Sequence, residues 1–271
     1  MNRNICRSCE STNLKSVVSL GLSPLANNLL NSLAEEDKLY PLEMMICSDC
    51  YNCQLSYSVP SEEMFDHYLY VSSTAKSFRD HFKQAATQYI NDFKLNENSL
   101  VIDIGSNDGI ALVPLKEEGI KVLGIEPAEN IVKIALDKGI PTIQSYFTPE
   151  IADEIINKYG KADIITASNV FAHADGLKDI ANTAFKILKK EGTFIVEVQY
   201  LLDTINDLTF DNIYHEHVNY WSITSIVNFF NNLGYSVTKI EHVNTHGGSI
   251  RVYIQNKGFN VDSSVETFLK H

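Results

Sequence analysis

Three groups of residues in this chain are of types and spacings that do chemistry. All five cysteines stand in the first 53 residues, four of them as Cys6-x-x-Cys9 and Cys47-x-x-Cys50. An Asp103-Ile-Gly-Ser-Asn-Asp-Gly109 turn lies further along, and a Tyr214-His-Glu-His217 cluster follows in the second half. Each C-x-x-C knuckle lets two thiolates reach one ion, and two knuckles complete a tetrahedral site closed to water. The expected metal is a structural Zn2+ on Cys6, Cys9, Cys47 and Cys50, and its binding supplies folding energy to a module with little core of its own. The alternative is a set of buried apolar thiols. Cys53 reads as a packed free thiol, although its spacing would also let it substitute as a ligand.

The Asp103–Gly109 turn lacks the G-x-G-x-x-G dinucleotide fingerprint. One glycine follows the acid by two residues and the next comes four later, so the loop is wider. That shape suits a sulfonium amino acid better than a pyrophosphate seated on a helix N-terminus. Gly105 and Gly109 are expected to let the backbone pass beneath such a ligand without a Cβ. Glu126 lies 23 residues beyond Asp103 and can accept both hydroxyls of a ribose. Ligands of open α/β sheets bind at the carboxyl ends of the strands, where Tyr146, Phe147 and Asn169 fall. The candidate cofactor is S-adenosylmethionine, held by Asp103, Gly105, Asn107, Gly109, Glu126, Phe147 and Asn169; a plain structural turn is the other reading.

Histidines beside a methyl donor suit acid–base chemistry, because imidazole titrates near neutrality. Besides His215 and His217, His173 follows the fourth strand of the regular alternation described next, and His246 sits in a Gly-Gly turn. A solvated or capping loop residue is the alternative for any one of them. The H-E-x-x-H spacing of a catalytic zinc site is missing.

The elements that must position these groups read as a helix over Thr74–Phe93, then strands alternating with helices. Strand patterns fall at Leu100–Gly105, Lys121–Glu126, Thr142–Phe147, Asp163–Asn169 and Thr193–Tyr200. After an irregular stretch and a helix over Ile223–Leu233, Tyr235–Val243 and Ser249–Gln255 form a hairpin. This predicts a doubly wound α/β fold, a class I Rossmann-like methyltransferase sheet behind a small N-terminal zinc-binding module. The 271 residues, 44% hydrophobic, can bury one sizeable core and an accessory module. The formal charge of −12, with arginine only at Arg3, Arg7, Arg79 and Arg251, argues against nucleic acid and anionic membranes as partners. The absence of a long apolar run and of a signal-peptide core makes a cytoplasmic chain with reduced thiols the expectation.

Taken with Gly21-Leu-Ser-Pro-Leu-Ala-Asn27, Tyr40-Pro-Leu42, Tyr68-Leu-Tyr-Val-Ser-Ser73, Asn169-Val-Phe-Ala-His173, Glu197-Val-Gln-Tyr200 and His246-Gly-Gly-Ser249, these motifs extend over nearly the whole chain. In that order they resemble the sugar C-methyltransferase family, which methylates nucleotide-linked 4-keto-deoxysugars. The resemblance implies four cysteine ligands for zinc and a nucleotide-diphosphate keto-sugar as substrate. It makes His217 the base that takes a proton from carbon 3, with Tyr214, Glu216, His173 and Tyr68 at other active-site positions. Glu216 or Tyr214 would fix the imidazole, and Tyr68 or His173 would donate to an enolate. Ser73, Lys76 and Arg79, with Ser72, are candidate contacts for the diphosphate, or else a solvated helix start. The expected domains are residues 1–73, a zinc-binding module; 74–260, the methyltransferase domain; and 261–271, the truncated start of a C-terminal domain that family members carry. O- or N-methylation of another small molecule stays open as an alternative, as does a non-catalytic module that binds zinc and cofactor.

Overall fold

The computed structural model describes all residues except Asn31, Leu33, Ser61, Glu62, 65–70, His246 and His271. The expectations for Tyr68 and His246 lie outside the described residues.

Seven strands build the main sheet: β4 (Leu100–Ile104), β5 (Lys121–Glu126), β6 (Thr142–Gln144), β7 (Ala162–Ser168), β8 (Leu188–Gln199), β10 (Tyr235–Val243) and β11 (Ser249–Asn256). Their spatial order is β10-β11-β8-β7-β4-β5-β6. Within it β4, β5, β6, β7 and β8 are mutually parallel, while β11 runs antiparallel to both β8 and β10. This is the expected sheet, with the hairpin at one edge. The strands read as continuous apolar runs because both faces are covered. Leu100, Ile102 and Ile104 face one buried cluster with Phe171, Phe194 and Trp221, while Val101 faces a second cluster with Ala85, Ala86 and Tyr89.

The helices fall close to expectation: α1 (Lys76–Phe93), α2 (Val113–Glu117), α3 (Glu129–Asp137), α4 (Ala152–Tyr159), α5 (Leu177–Ile187), α6 (Leu201–Asn206), α7 (Ile223–Asn232) and α8 (Ser263–Leu269). Thr148 begins the α4 region with extended backbone, but its side chain does not cap it; Pro149–Ile151 first makes a 3-10 turn. Helix α8 lies in the stretch 261–271; its Val265 joins the main core, and the Ile240 N–H on β10 donates to the Ser264 hydroxyl at 3.1 Å.

A second sheet has the order β1-β2-β3-β9, where β1 is Leu14–Ser23, β2 Tyr40–Cys47, β3 Cys53–Leu55 and β9 Asn219–Tyr220. No periodicity in the sequence marks these strands. The last of them comes from the other end of the chain, so the N-terminal module is completed by residues beyond position 73. Strand β9 closes a long excursion after β8, pinched at its base where Tyr200 bridges Trp221 and the Leu201 N–H donates to the Trp221 carbonyl at 2.9 Å. The Trp221 indole N–H donates to the Phe171 carbonyl at 3.0 Å, which ties the excursion to the loop after β7.

Phe171 is fully buried against Phe194, Trp221, Phe229 and Phe230. Phe171→Ala should destabilise the protein by about 3–5 kcal/mol, measured by denaturant unfolding.

Candidate functional site

The four knuckle cysteines converge. Their sulfurs lie within 4.8 Å of one another, with Cys6 to Cys50 at 3.5 Å and Cys9 to Cys47 at 3.6 Å. A tetrahedral Zn2+ with sulfurs at about 2.3 Å requires neighbouring sulfurs about 3.8 Å apart, so the donor set fits that ion. Burial and the adjacent sulfurs push the Cys9 thiol up to about 11. A cation is what would let such crowded thiols ionise together. Cys53 packs elsewhere, among Leu42, Met44, Leu55 and Tyr220, as a buried thiol outside the cluster.

The Asp103–Gly109 turn sits between the carboxyl ends of β4 and β7, where successive connections leave in opposite directions along the sheet. Asn107 and Asn169 both take positive φ there, 47° and 60°, a conformation asparagine tolerates better than most residues. The glycines are closely packed. A Cβ on Gly105 would stand 2.8 Å from Val170 Cγ2, and one on Gly109 would stand 2.9 Å from Ile140 Cγ1. It is packing against the protein itself, together with φ of 63° and 80°, that requires glycine at these positions.

Glu126 ends β5 and is nearly buried. One of its oxygens accepts the Asn107 N–H at 3.0 Å and the other the Ala128 N–H at 3.0 Å. Each carboxylate oxygen retains a second lone pair, the capacity that two ribose hydroxyls would use. Asp103 accepts from the Thr166 hydroxyl at 2.6 Å, and burial pushes its carboxyl up to about 7. Phe147 packs into the main core, whereas Tyr146 beside it is 37% exposed and is the ring that reaches the surface at the end of β6.

The histidines meet at the same edge. The rings of His173 and His217 are 4.9 Å apart, centre to centre, at 67°. His217 Nδ1 faces the Asn212 carbonyl at 3.0 Å, so the ring carries its proton on Nδ1 and turns the lone pair of Nε2 toward the Tyr214 hydroxyl at 3.1 Å. The His217 ring, with Glu216 or Tyr214 as its expected partner, is thus oriented by the Asn212 carbonyl and Tyr214. Glu216 receives the side-chain amide of Asn27, from the N-terminal module. His215 turns the other way and is buried edge-on to Tyr40. Contact runs from the glycine turn to His217: Gly105 abuts Val170, the Val170 carbonyl accepts the His173 N–H at 2.9 Å, and His173 meets His217.

At the start of α1, the Ser72 N–H donates to Asn107 Oδ1 at 2.9 Å and Lys138 donates to the Ser73 hydroxyl at 2.9 Å. The same Lys138 pairs with the buried Asp108 carboxylate. Lys76 pairs with Asp80, and Arg79 donates to the Ser73 and Thr74 carbonyls. Both are exposed, with the local partners that a solvated helix start would give them.

Sequence reasoning missed a buried charge cluster on the same edge. The Glu197 carboxylate accepts from Arg251 at 2.8 and 2.9 Å and meets His81 Nε2 at 2.7 Å. Burial opposes ionisation of Glu197, but His81 and Arg251 outweigh it and hold the carboxyl below its ordinary range. His81 falls on the polar side of α1 in the sequence, where nothing distinguishes it from a solvated histidine. Asn212 was missed because a carbonyl acceptor leaves no pattern; Asn27 ends one of the motifs, but nothing in the sequence pairs its amide with Glu216.

Two outcomes follow from this geometry. Freshly purified protein should hold one equivalent of zinc by metal analysis, and Cys47→Ser should lose most of it together with cooperative unfolding of the module. Because folding raises the Asp103 carboxyl from 3.8 to about 7, the folded state keeps a proton there that the unfolded chain releases. That contribution to stability therefore falls as pH rises through this window. The unfolding free energy of Asp103→Asn, compared with that of the unaltered protein across the window, should show the fall removed.

Residues 6–65 match the family described as "Putative zinc binding domain", and residues 75–240 match the family described as "Methyltransferase domain". The C-methyltransferase NovU of Streptomyces niveus is 34% identical over 92% of this chain, which spans 60% of NovU's length. A methyltransferase of Alkaliphilus oremlandii, described as uncharacterized, is 28% identical over 52% of the chain and 70% of its own length. Among solved structures, an S-adenosylmethionine-dependent methyltransferase from Clostridium acetobutylicum superposes with a TM-score of 0.53 at 12% identity, over 69% of this chain and 94% of that one. Magnesium protoporphyrin IX methyltransferase from Synechocystis gives 0.51 at 15% identity, over 66% and 83%. These structures share the fold, and the chain belongs to the methyltransferase-domain family, carrying that domain behind a four-cysteine module.

Proposed function

We propose that this chain transfers a methyl group from S-adenosylmethionine to a carbon, C-3, of a nucleotide-linked 4-keto-deoxysugar through an enolate. The observation that carries the reading is the His173–His217 pair, at the carboxyl edge of the sheet and joined through Val170 to the glycine turn. The likeness to NovU, a C-methyltransferase by name, supports carbon as the acceptor.

When bound, S-adenosylmethionine supplies an electrophilic methyl group. Asp103, Gly105, Asn107, Gly109 and Glu126 would hold it, Glu126 offering its remaining lone pairs to the ribose hydroxyls, with Phe147 and Asn169 as further candidates. The chain's harder task is to make the sugar carbon nucleophilic. A C–H beside a ketone is weaker as an acid than imidazolium by more than ~10 pK units, upward of about 14 kcal/mol. His217 takes this proton on Nε2, the nitrogen that the Asn212 carbonyl leaves with its lone pair. The Tyr214 hydroxyl bonded there either yields to the C–H or passes the proton on. Donors aimed at the developing enolate oxygen, each worth on the order of 3 kcal/mol, come from His173 and Tyr68. Glu216 completes the polar wall. Ser73, Lys76 and Arg79, at the mouth of α1, take the diphosphate once Lys76 and Arg79 exchange their local partners for it.

Exchange of the sugar α-proton in deuterated water isolates the base from methyl transfer. His217→Asn should slow that exchange by about 10²–10⁴-fold while leaving the dissociation constant for S-adenosylmethionine unchanged; an unaltered exchange rate removes His217 from the role.

A further inference from the structure

Each cysteine knuckle is joined to one of the two histidine-bearing loops. Arg7 lies inside the first knuckle, between Cys6 and Cys9, and its side chain is 1% exposed. Its guanidinium donates to Asp175 Oδ1, the Leu55 carbonyl and the Ser58 hydroxyl, each at 2.6 Å. Ser58 donates in turn to the same Asp175 oxygen at 3.0 Å, and Arg3 pairs with the other at 2.7 Å. Asp175 is two residues past His173.

The second knuckle runs through Asn52 into β3, where Cys53 pairs with Tyr220 and Gln54 with Asn219. Asn219 stands two residues past His217. Its own N–H donates to the Ala172 carbonyl at 3.0 Å and its side-chain amide to the Ala174 carbonyl at 2.9 Å, so it grips the backbone on both sides of His173. Gln54 closes the circuit by accepting the Arg7 N–H at 2.7 Å and donating to the Ile5 carbonyl at 3.1 Å. A fan of three donors from one planar guanidinium fixes direction as well as distance, which an ammonium cannot do.

We propose that Arg7 and Asn219 are positioning residues, through which the four-cysteine module sets the distance and angle between the His173 and His217 rings. Neither residue touches substrate or cofactor; they act on the loops from which the two imidazoles project. The catalytic part of this inference rests on the reading of His217 as the base, but the structural part does not. The module is then more than a stabiliser of the N-terminus. It is the rigid frame that completes the acid–base half of the site, while the main sheet completes the half facing the methyl donor.

The test uses the intact chain with isotope-labelled histidine and two substitutions, Arg7→Lys and Asn219→Ala. The first keeps the charge inside the knuckle, and the second changes no residue of either knuckle, removing only the Asn52 contact beside it, so loss of folding in one does not silence the other. Both should keep one equivalent of zinc and the donor affinity of the unaltered protein. In both, the ring resonances of His173 and His217 should move, while that of His242, paired with Asp203 on β10, stays in place. Sugar α-proton exchange should fall by about 100-fold in its maximal rate, as an ångström-scale misplacement does, with little change in the half-saturating sugar concentration. Ring resonances of His173 and His217 coincident with those of the unaltered protein in both variants would overturn the proposal. If the rings move but His217→Asn still exchanges normally, the positioning role stands and the assignment of the base falls.

Discussion

Four sulfurs within 4.8 Å of one another cannot all ionise without a cation among them, and much of the rest of the molecule hangs on that crowding. The N-terminal module has a small apolar core around Leu42, Met44 and Leu55, with its edge strand β1 largely exposed. A core of that size does not hold four short strands alone, whereas a closed thiolate site contributes folding energy outright. Once the knuckles are fixed, β3 is fixed, and β3 is the template on which β9 pairs. The excursion carrying Tyr214–His217 is thereby held at both ends, by β9 on the module and by the Tyr200–Trp221 bridge on the main sheet.

The main sheet imposes a different constraint. Parallel strands buried on both faces leave little room for charge except toward their ends, so Asp103, Glu126 and Glu197 mark the carboxyl edge by being acidic and buried. Their environments diverge. Asp103 has one hydroxyl partner and its carboxyl is raised; Glu197 sits between His81 and Arg251 and is lowered. The edge thus carries a near-neutral acid beside the glycine turn and a firmly ionised one beside the hairpin. The Glu197 cluster ties α1 to β8 and β11, and α1 begins at Ser72 and Ser73, which are fastened to Asn107 and Lys138. Among the described residues no helix is long and apolar enough to cross a membrane.

The two halves of the site are therefore supported separately. The turn after β4 is packed from below by Val170 and Ile140 and is fastened at Asn107 to the Ser72 N–H. The histidine pair depends on module, excursion and sheet together.

Patterns that repeat along the chain were legible in the sequence. The 3.6-residue apolar period of the helices and the continuous apolar runs of the strands placed nearly every element of the main sheet, because parallel strands and their covering helices take their character from burial alone. The paired C-x-x-C spacing gave the four ligands, since local geometry brings each pair of thiols together whatever the fold does. What no local pattern encodes was decided by the tertiary structure. Strand β9 pairs with a segment more than 160 residues away, Asn212 acts through its backbone carbonyl, and Asn27 reaches Glu216 across the module boundary. The glycines of the turn stand out in the sequence, but their packing against Val170 and Ile140 does not. Periodicity records how much of a residue is buried; it does not record against which distant neighbour, and the orientation of the histidines depends on that neighbour.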